Sequence, residues 1–170
     1  MLNMRLVTKL LKFGPIILLY YFSISESDSN FKDYFEVFSF NLQLIIIYFW
    51  VLKSPSLIGN GHIFSAGLIN DVVLGFPLGL SSLTYLIISL IASYVQKMSV
   101  HTTLASDWFT FLFALLFTNI IFGTLIANFS ILNLDIVALS YNIFFTLMVF
   151  PLFWFLFSFY YSMIREGKNV

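Results

Sequence analysis

Trp108 to Phe129 reads WFTFLFALLFTNIIFGTLIANF, and this run decides the fold. It carries no charge and no proline, and only Thr, Asn and Gly interrupt its apolar series. An α-helix crossing about 30 Å of hydrocarbon needs about 20 mostly apolar residues. A membrane-spanning β-strand would instead alternate apolar and polar positions over about ten residues. Neither this run nor Leu42 to Leu52 (LQLIIIYFWVL) alternates in that way, so the spacing predicts helices.

Working outward, five further stretches have the same character. Six transmembrane helices are expected, at about 6–24, 34–52, 57–76, 78–95, 108–129 and 136–164, as one domain over residues 1–170. Composition agrees: 60% of the 170 residues are hydrophobic, 20% aromatic and 9% charged. Soluble domains carry about 25% charged residues, because that much polar surface is needed to face water. An all-α integral membrane protein is therefore expected. Eight Lys plus Arg balance eight Asp plus Glu, which leaves no basic field for nucleic acid. The absence of cysteine excludes disulfides, thiolate metal sites and thiol nucleophiles. Pro151 lies inside the last stretch, where it frees a backbone carbonyl and predicts a bend covered by neighbouring helices.

Lys and Arg in short loops set orientation. With a cytoplasmic N-terminus and six alternating helices, Arg5, Lys9, Lys12, Lys53, Lys97, Arg165 and Lys168 fall inside and Lys32 alone outside. Both termini are therefore expected in the cytoplasm. Ser25-Glu26-Ser27-Asp28 after the first apolar run lacks the small-x-small pattern of a cleavage site, so the first helix is expected to remain. The loops are short, the outer one at about Ser25 to Asp33 being the longest on that side, and none is expected to fold as a separate domain. Function is expected to reside in the helices and their lateral surfaces. No internal repeat or inverted symmetry of the transporter kind is visible.

Polar residues concentrate between Gly59 and Leu80, GNGHIFSAGLINDVVLGFPLGL. Gly67, Asp71 and Gly75 are spaced by four and would share one helix face. Small residues at that spacing let another helix approach closely, either within the chain or from a partner. An ionised Asp71 inside a span costs about 2.5 to 3.5 kcal/mol. Three readings stand: it accepts hydrogen bonds that fix the Phe76-Pro77 turn, it pairs with a polar group on a partner, or it carries protons or ions. His62 lies nine residues before it, about 13 Å along a helix, too far for a direct relay. His62, near the cytoplasmic start of its helix, and His101, in an inner loop, are expected to be solvated. No metal-binding spacing, H-E-x-x-H, G-x-S-x-G or phosphate-binding loop is present, so no catalytic, cofactor or metal site is expected. Asn119, Asn128, Asn142 and Thr146 are expected to bond across helices. Most phenylalanines are expected to face lipid. Tyr20, Tyr21, Trp50, Trp108, Tyr160 and Tyr161 are expected at the membrane interfaces.

The run GNGHIFSAGLINDVVLGFPLGLSSLTYLIISLIASY resembles the signature region of the rod shape-determining MreD family, bacterial inner-membrane proteins of similar length. The similarity rests on the glycine-containing third helix, Asp71, Gly75, Pro77-Leu78-Gly79-Leu80 and Tyr85. Asn142, Pro151 and Arg165 resemble the family's ending, and Tyr48-Phe49-Trp50 the end of its second helix. Motif-level similarity covers about 35 residues. Family members often have a proline early in the second helix, where this chain reads Phe40-Asn41. The resemblance implies a six-helix bundle similar to the S component of energy-coupling-factor transporters. It also implies a non-enzymatic scaffold or regulator of the rod complex, or elongasome, which controls cell shape and lateral peptidoglycan synthesis. Implied partners are a bitopic MreC-like protein and, through it, an MreB-like filament, a RodA-like glycosyltransferase and a class B penicillin-binding transpeptidase. The partner or packing motif is then Gly67, Asp71, Gly75, Pro77, Leu78 and Gly79.

Two other classes compete. A vitamin-binding S component of an energy-coupling-factor transporter would carry an Ala-x-x-x-Ala-like face on its first helix, and Phe13-Gly14-Pro15-Ile16-Ile17-Leu18-Leu19-Tyr20 contains no alanine. A lipid-modifying enzyme with Asp71 as base would need a second polar group within about 2.6 to 3.2 Å of the reacting atom.

Overall fold

The computed structural model describes residues 11–25, 41–98, 103–129 and 136–166, and among them the chain is all-helical with no strand. Six helices follow one another: α1 (Gly14–Ser25), α2 (Leu42–Lys53), α3 (Asn60–Leu74), α4 (Leu80–Met98), α5 (Leu104–Phe129) and α6 (Ile136–Glu166). Each falls on an expected stretch. The expected helical residues 6–10 and 34–40, the outer loop from residue 26 to Asp33, His101, Asp135 and Lys168 lie outside the described residues. Among the described residues two helices are long and apolar enough to cross a membrane, at Leu104–Ala127 and Ile136–Arg165.

The bundle is built around α2. Every residue from Leu42 to Leu52 is buried, Gln43 included. A helix that is hydrophobic all round belongs in a core, and α1, α4 and α6 pack on it. Asn41 caps its start, the side chain accepting the Leu44 N–H at 3.2 Å. Trp50, expected at an interface, is fully buried among Phe49, Phe157, Tyr160 and Tyr161. Phe111 and Phe150 stack at 4.3 Å beside Tyr48. Several aromatics therefore fill the core, where all-round apolar surface makes interior packing better than an interface.

α4 turns a mixed face inward, polar groups beside Leu80, Ile88 and Ala92. Ser81, Ser82, Thr84, Tyr85 and Ser89 point inward while Leu83, Leu90, Tyr94 and Met98 point out. On α5 and α6 the outward residues include Phe113, Phe117, Ile120, Phe144, Leu152 and Phe155. Apolar surface turned outward over whole helices is unstable in water and suits hydrocarbon, which points to association with a membrane.

The third helix corrects an expectation. It covers 60–74 rather than 57–76, and at 1.5 Å per residue it is about 22 Å long. Its first residue Asn60 accepts a hydrogen bond from Ser89 at 3.4 Å, near the middle of α4. His62 lies 3.3 Å from the hydroxyl of Tyr20, which is midway along α1 rather than at its start. The start of α3 thus sits part-way along its neighbours, not at the end where α1 begins. Gly67 explains the close α3–α4 packing: a Cβ there would collide with the Ser82 backbone. The Ser82 hydroxyl also donates to the Phe64 carbonyl at 3.0 Å.

Two of the four prolines, Pro15 in the first turn of α1 and Pro151 inside α6, leave a carbonyl that another helix takes. Pro151 lies inside α6, which continues through it. Because proline has no N–H, the Leu147 carbonyl four residues earlier loses its helical donor; the Trp108 indole N–H of α5 donates to it at 3.0 Å. Pro15 has the same effect on the Leu11 carbonyl, which accepts from the Tyr160 hydroxyl at 2.7 Å. Gly14 makes room for that hydroxyl, which any Cβ would meet.

Trp108→Phe should leave the Leu147 carbonyl unpaired and cost about 1–3 kcal/mol, lowering the melting temperature in detergent. Pairing it with Pro151→Ala restores a helical donor and should recover most of the loss, which a double-mutant cycle of thermal melts would read.

Candidate functional site

The stretch 74–80 turns the chain from α3 into α4, and its geometry follows from two glycines. Gly75 takes φ +70° and Gly79 φ +99°, conformations that side-chain-bearing residues adopt at a cost. Gly75 ends α3 by donating to the Asp71 carbonyl, and Phe76 N–H donates to the same oxygen at 2.9 Å. This is a left-handed helix end of the Schellman type.

Asp71 then clamps the corner a second time with its side chain. One carboxylate oxygen accepts the Gly79 N–H and the other the Ser81 N–H, both at 2.7 Å. These N–H groups belong to the start of α4, which has no earlier turn to bond them and a partial positive charge that favours an anion. The carboxylate is fully buried. Of the three readings of Asp71, the geometry selects turn fixing: both oxygens are occupied, and no partner cation can reach a buried carboxylate. Beside it the Asn70 amide donates to the Ser81 hydroxyl at 3.1 Å.

The expected motif divides by role. Gly67 packs on Ser82, Asp71 and the two glycines at 75 and 79 hold the corner, and Pro77, Leu78 and Gly79 are presented at the surface. Gly75 lies beyond the end of α3 and a Cβ there would meet nothing within 4 Å, so it does not extend a packing face with Gly67. That expectation is corrected; the turn, not helix packing, uses Gly75. Leu78 is 73% exposed. With Phe64, Pro77, Gly79, Leu83, Leu86 and Leu125 it lines an apolar groove of about 330 Å³.

A second polar centre was not legible as such. Asp107 is buried in the first turn of α5, which begins at Leu104 rather than Trp108. Its Oδ2 accepts from Lys53 Nζ and from the Trp154 indole N–H, both at 2.8 Å, tying α2, α5 and α6 together. The Lys53 ammonium also lies 5.5 Å from the centre of the Trp154 ring. One turn on, Tyr48 donates to Thr110 at 2.7 Å. Lys53 thus serves as an ion-pair partner, beyond its reading as a loop charge, and Asp71 is not the only buried carboxylate. The usable sequence signal was two opposite charges closing two apolar runs on the same predicted side.

Thr146 bonds across helices as expected, its hydroxyl accepting the Asn41 N–H at 2.9 Å. Asn119 instead donates within α5 to the Leu115 carbonyl at 2.8 Å. No group of three or more His, Asp and Glu that could hold a metal occurs among the described residues. In comparison with known proteins, the chain matches no family model, no curated protein and no solved structure.

Lys53→Met would leave Asp107 as a buried charge without its cation and should destabilise the protein by about 3–5 kcal/mol. Lys53→Met with Asp107→Leu should recover most of that, measured by thermal melting in detergent. Asp71→Ala should cost at least about 1–3 kcal/mol through two orphaned N–H groups, whereas a proton-carrying Asp71 would leave the melt unchanged.

Proposed function

We propose that this chain is a contact-making component of a bacterial cell-elongation complex, a scaffold or regulator of the MreD kind that acts without chemistry of its own. In this reading it crosses the inner membrane six times with both termini in the cytoplasm. The bias of seven inside Lys and Arg against one outside supports that orientation. Residues 54–59, ahead of α3, would begin the crossing that this short helix completes. The partner is a bitopic, MreC-like protein, through which the chain would meet an MreB-like filament, a RodA-like glycosyltransferase and a class B penicillin-binding transpeptidase.

One observation carries the reading: the Asp71 clamp on Gly79 and Ser81 makes the α3–α4 corner rigid while leaving Leu78 outward. A preorganised apolar anchor loses little entropy on binding, which is the usual property of a docking residue. The groove beside Leu78 offers the complementary pocket for an apolar side chain of the partner's membrane helix. The residues that resemble the family signature are those that build this corner.

Leu78→Asn removes the anchor without touching the clamp. It should leave the melting temperature within about 0.5 kcal/mol equivalent of the parent, reduce co-purification with the bitopic partner, and round rod-shaped cells that depend on the chain. Normal shape and full partner recovery with this variant would count against the corner as the docking site.

A further inference from the structure

The outer faces of α5 and α6 enclose a second groove, of about 300 Å³, lined by Leu116, Asn119, Gly123, Ala127, Leu139 and Ile143. On α5, Asn119, Gly123 and Ala127 follow at intervals of four and so stand in one line. The same kind of small-residue position is filled at Gly67 by the Ser82 backbone of α4. At Gly123 it is not: an added Cβ would meet only the tip of Leu139, at 3.9 Å. Backbone could approach here, and none of the described residues does.

Asn119 gives this groove its specificity. The residue is 8% exposed, yet its side chain lines the groove. One amide hydrogen goes to the Leu115 carbonyl; the carboxamide oxygen and the other hydrogen have no partner among the described residues. Asn119 lies about 12 Å along the helix from the nearer end of the apolar segment Leu104–Ala127. At that depth lipid tails offer neither donor nor acceptor, and the groups that can pair with a carboxamide are those of another helix.

We propose that this groove is the dimerisation face of the chain, in which α5 of a second copy seats along Asn119, Gly123 and Ala127. A carboxamide carries one donor set and one acceptor, so it is complementary to itself. Across a two-fold axis along the membrane normal, Asn119 meets the same residue of the other copy, and the carboxamide oxygen of each accepts the remaining N–H of the other. A foreign helix would have to supply a matching group at the same depth; a second copy supplies it by symmetry. The small residues at 123 and 127 then let the two α5 backbones come close enough for that bond. This inference rests on α5 lying in lipid and is independent of the Leu78 corner.

The chain has no cysteine, so single cysteines report without background. Ala127→Cys on the proposed axis, and Leu90→Cys on the outward face of α4 as control, are expressed in cells and oxidised in native membranes. Ala127→Cys is expected to form a disulfide-linked species of twice the monomer mass, and Leu90→Cys is expected to remain monomeric. Adding Asn119→Leu to Ala127→Cys should lower the cross-linked fraction about tenfold, the effect of one interhelical hydrogen bond, and Asn119→Gln should preserve it. Among the described residues Asn119 bonds only its own helix, so the Leu variant should still elute as a folded monomer in detergent. The proposal is overturned if Ala127→Cys cross-links no more than Leu90→Cys. It is overturned equally if its adduct has the mass of a different protein, or if Asn119→Leu leaves the cross-linked fraction unchanged.

Discussion

Hydrocarbon gives a backbone polar group no partner, and in the proposed membrane placement this constraint accounts for about half of the long-range side-chain hydrogen bonds among the described residues. At several turns, helix ends and prolines, a side chain from a neighbouring helix takes the freed backbone group. Asp71 accepts two N–H groups at the start of α4, Trp108 covers the carbonyl freed by Pro151, and Tyr160 covers the one freed by Pro15. Gln43 donates to the Phe22 carbonyl near the end of α1, and Thr146 accepts the Asn41 N–H before α2. Each of these bonds also fixes the position of one helix against another. Satisfying the backbone and building the bundle are the same act.

The inward polarity of α4 follows from the same constraint. In the proposed membrane placement apolar side chains are stable facing outward, so the interior can hold the hydroxyls of Ser81, Ser82, Thr84 and Ser89 beside Leu80, Ile88 and Ala92. Small residues on that face bring α4 close to α3, as the Gly67 contact with Ser82 requires. Aromatic packing around Trp50 and the Lys53–Asp107–Trp154 bond hold the other side of α2 to α5 and α6. The outward faces of α5 and α6 are largely apolar, and grooves lie at the α3–α4 corner and along α5. Both lie on the lateral surface, where a protein acting sideways in the membrane would meet its neighbours.

The sequence made the helices visible because apolar runs of that length have few other solutions, and it singled out Asp71 because a carboxylate within such a run must be bonded. It offered turn fixing as one of three readings of Asp71, beside pairing with a partner and carrying protons or ions, and only the geometry separates them. What it could not show was pairing at a distance. Lys53 and Asp107 are 54 residues apart and each looks like an ordinary charge at the end of a span. Trp50 and Trp108 have the composition of interface residues, but one is core and the other serves a proline on a different helix. The short α3 was hidden because hydropathy counts apolar residues and does not register where a helix starts relative to its neighbours. The Leu78 groove and the open line from Asn119 to Ala127 are properties of packing, so no spacing rule alone could separate them from the filled position at Gly67.

The account depends on the outer faces of α4, α5 and α6 lying in lipid. Spin labels on single cysteines at Leu90, Phe117 and Phe155, in protein reconstituted into vesicles, test this directly by power-saturation electron paramagnetic resonance. All three positions are expected to relax with oxygen, which partitions into hydrocarbon, and to be shielded from a water-soluble nickel complex. Relaxation by the nickel complex at these sites, with little response to oxygen, would place the faces in water and contradict the account.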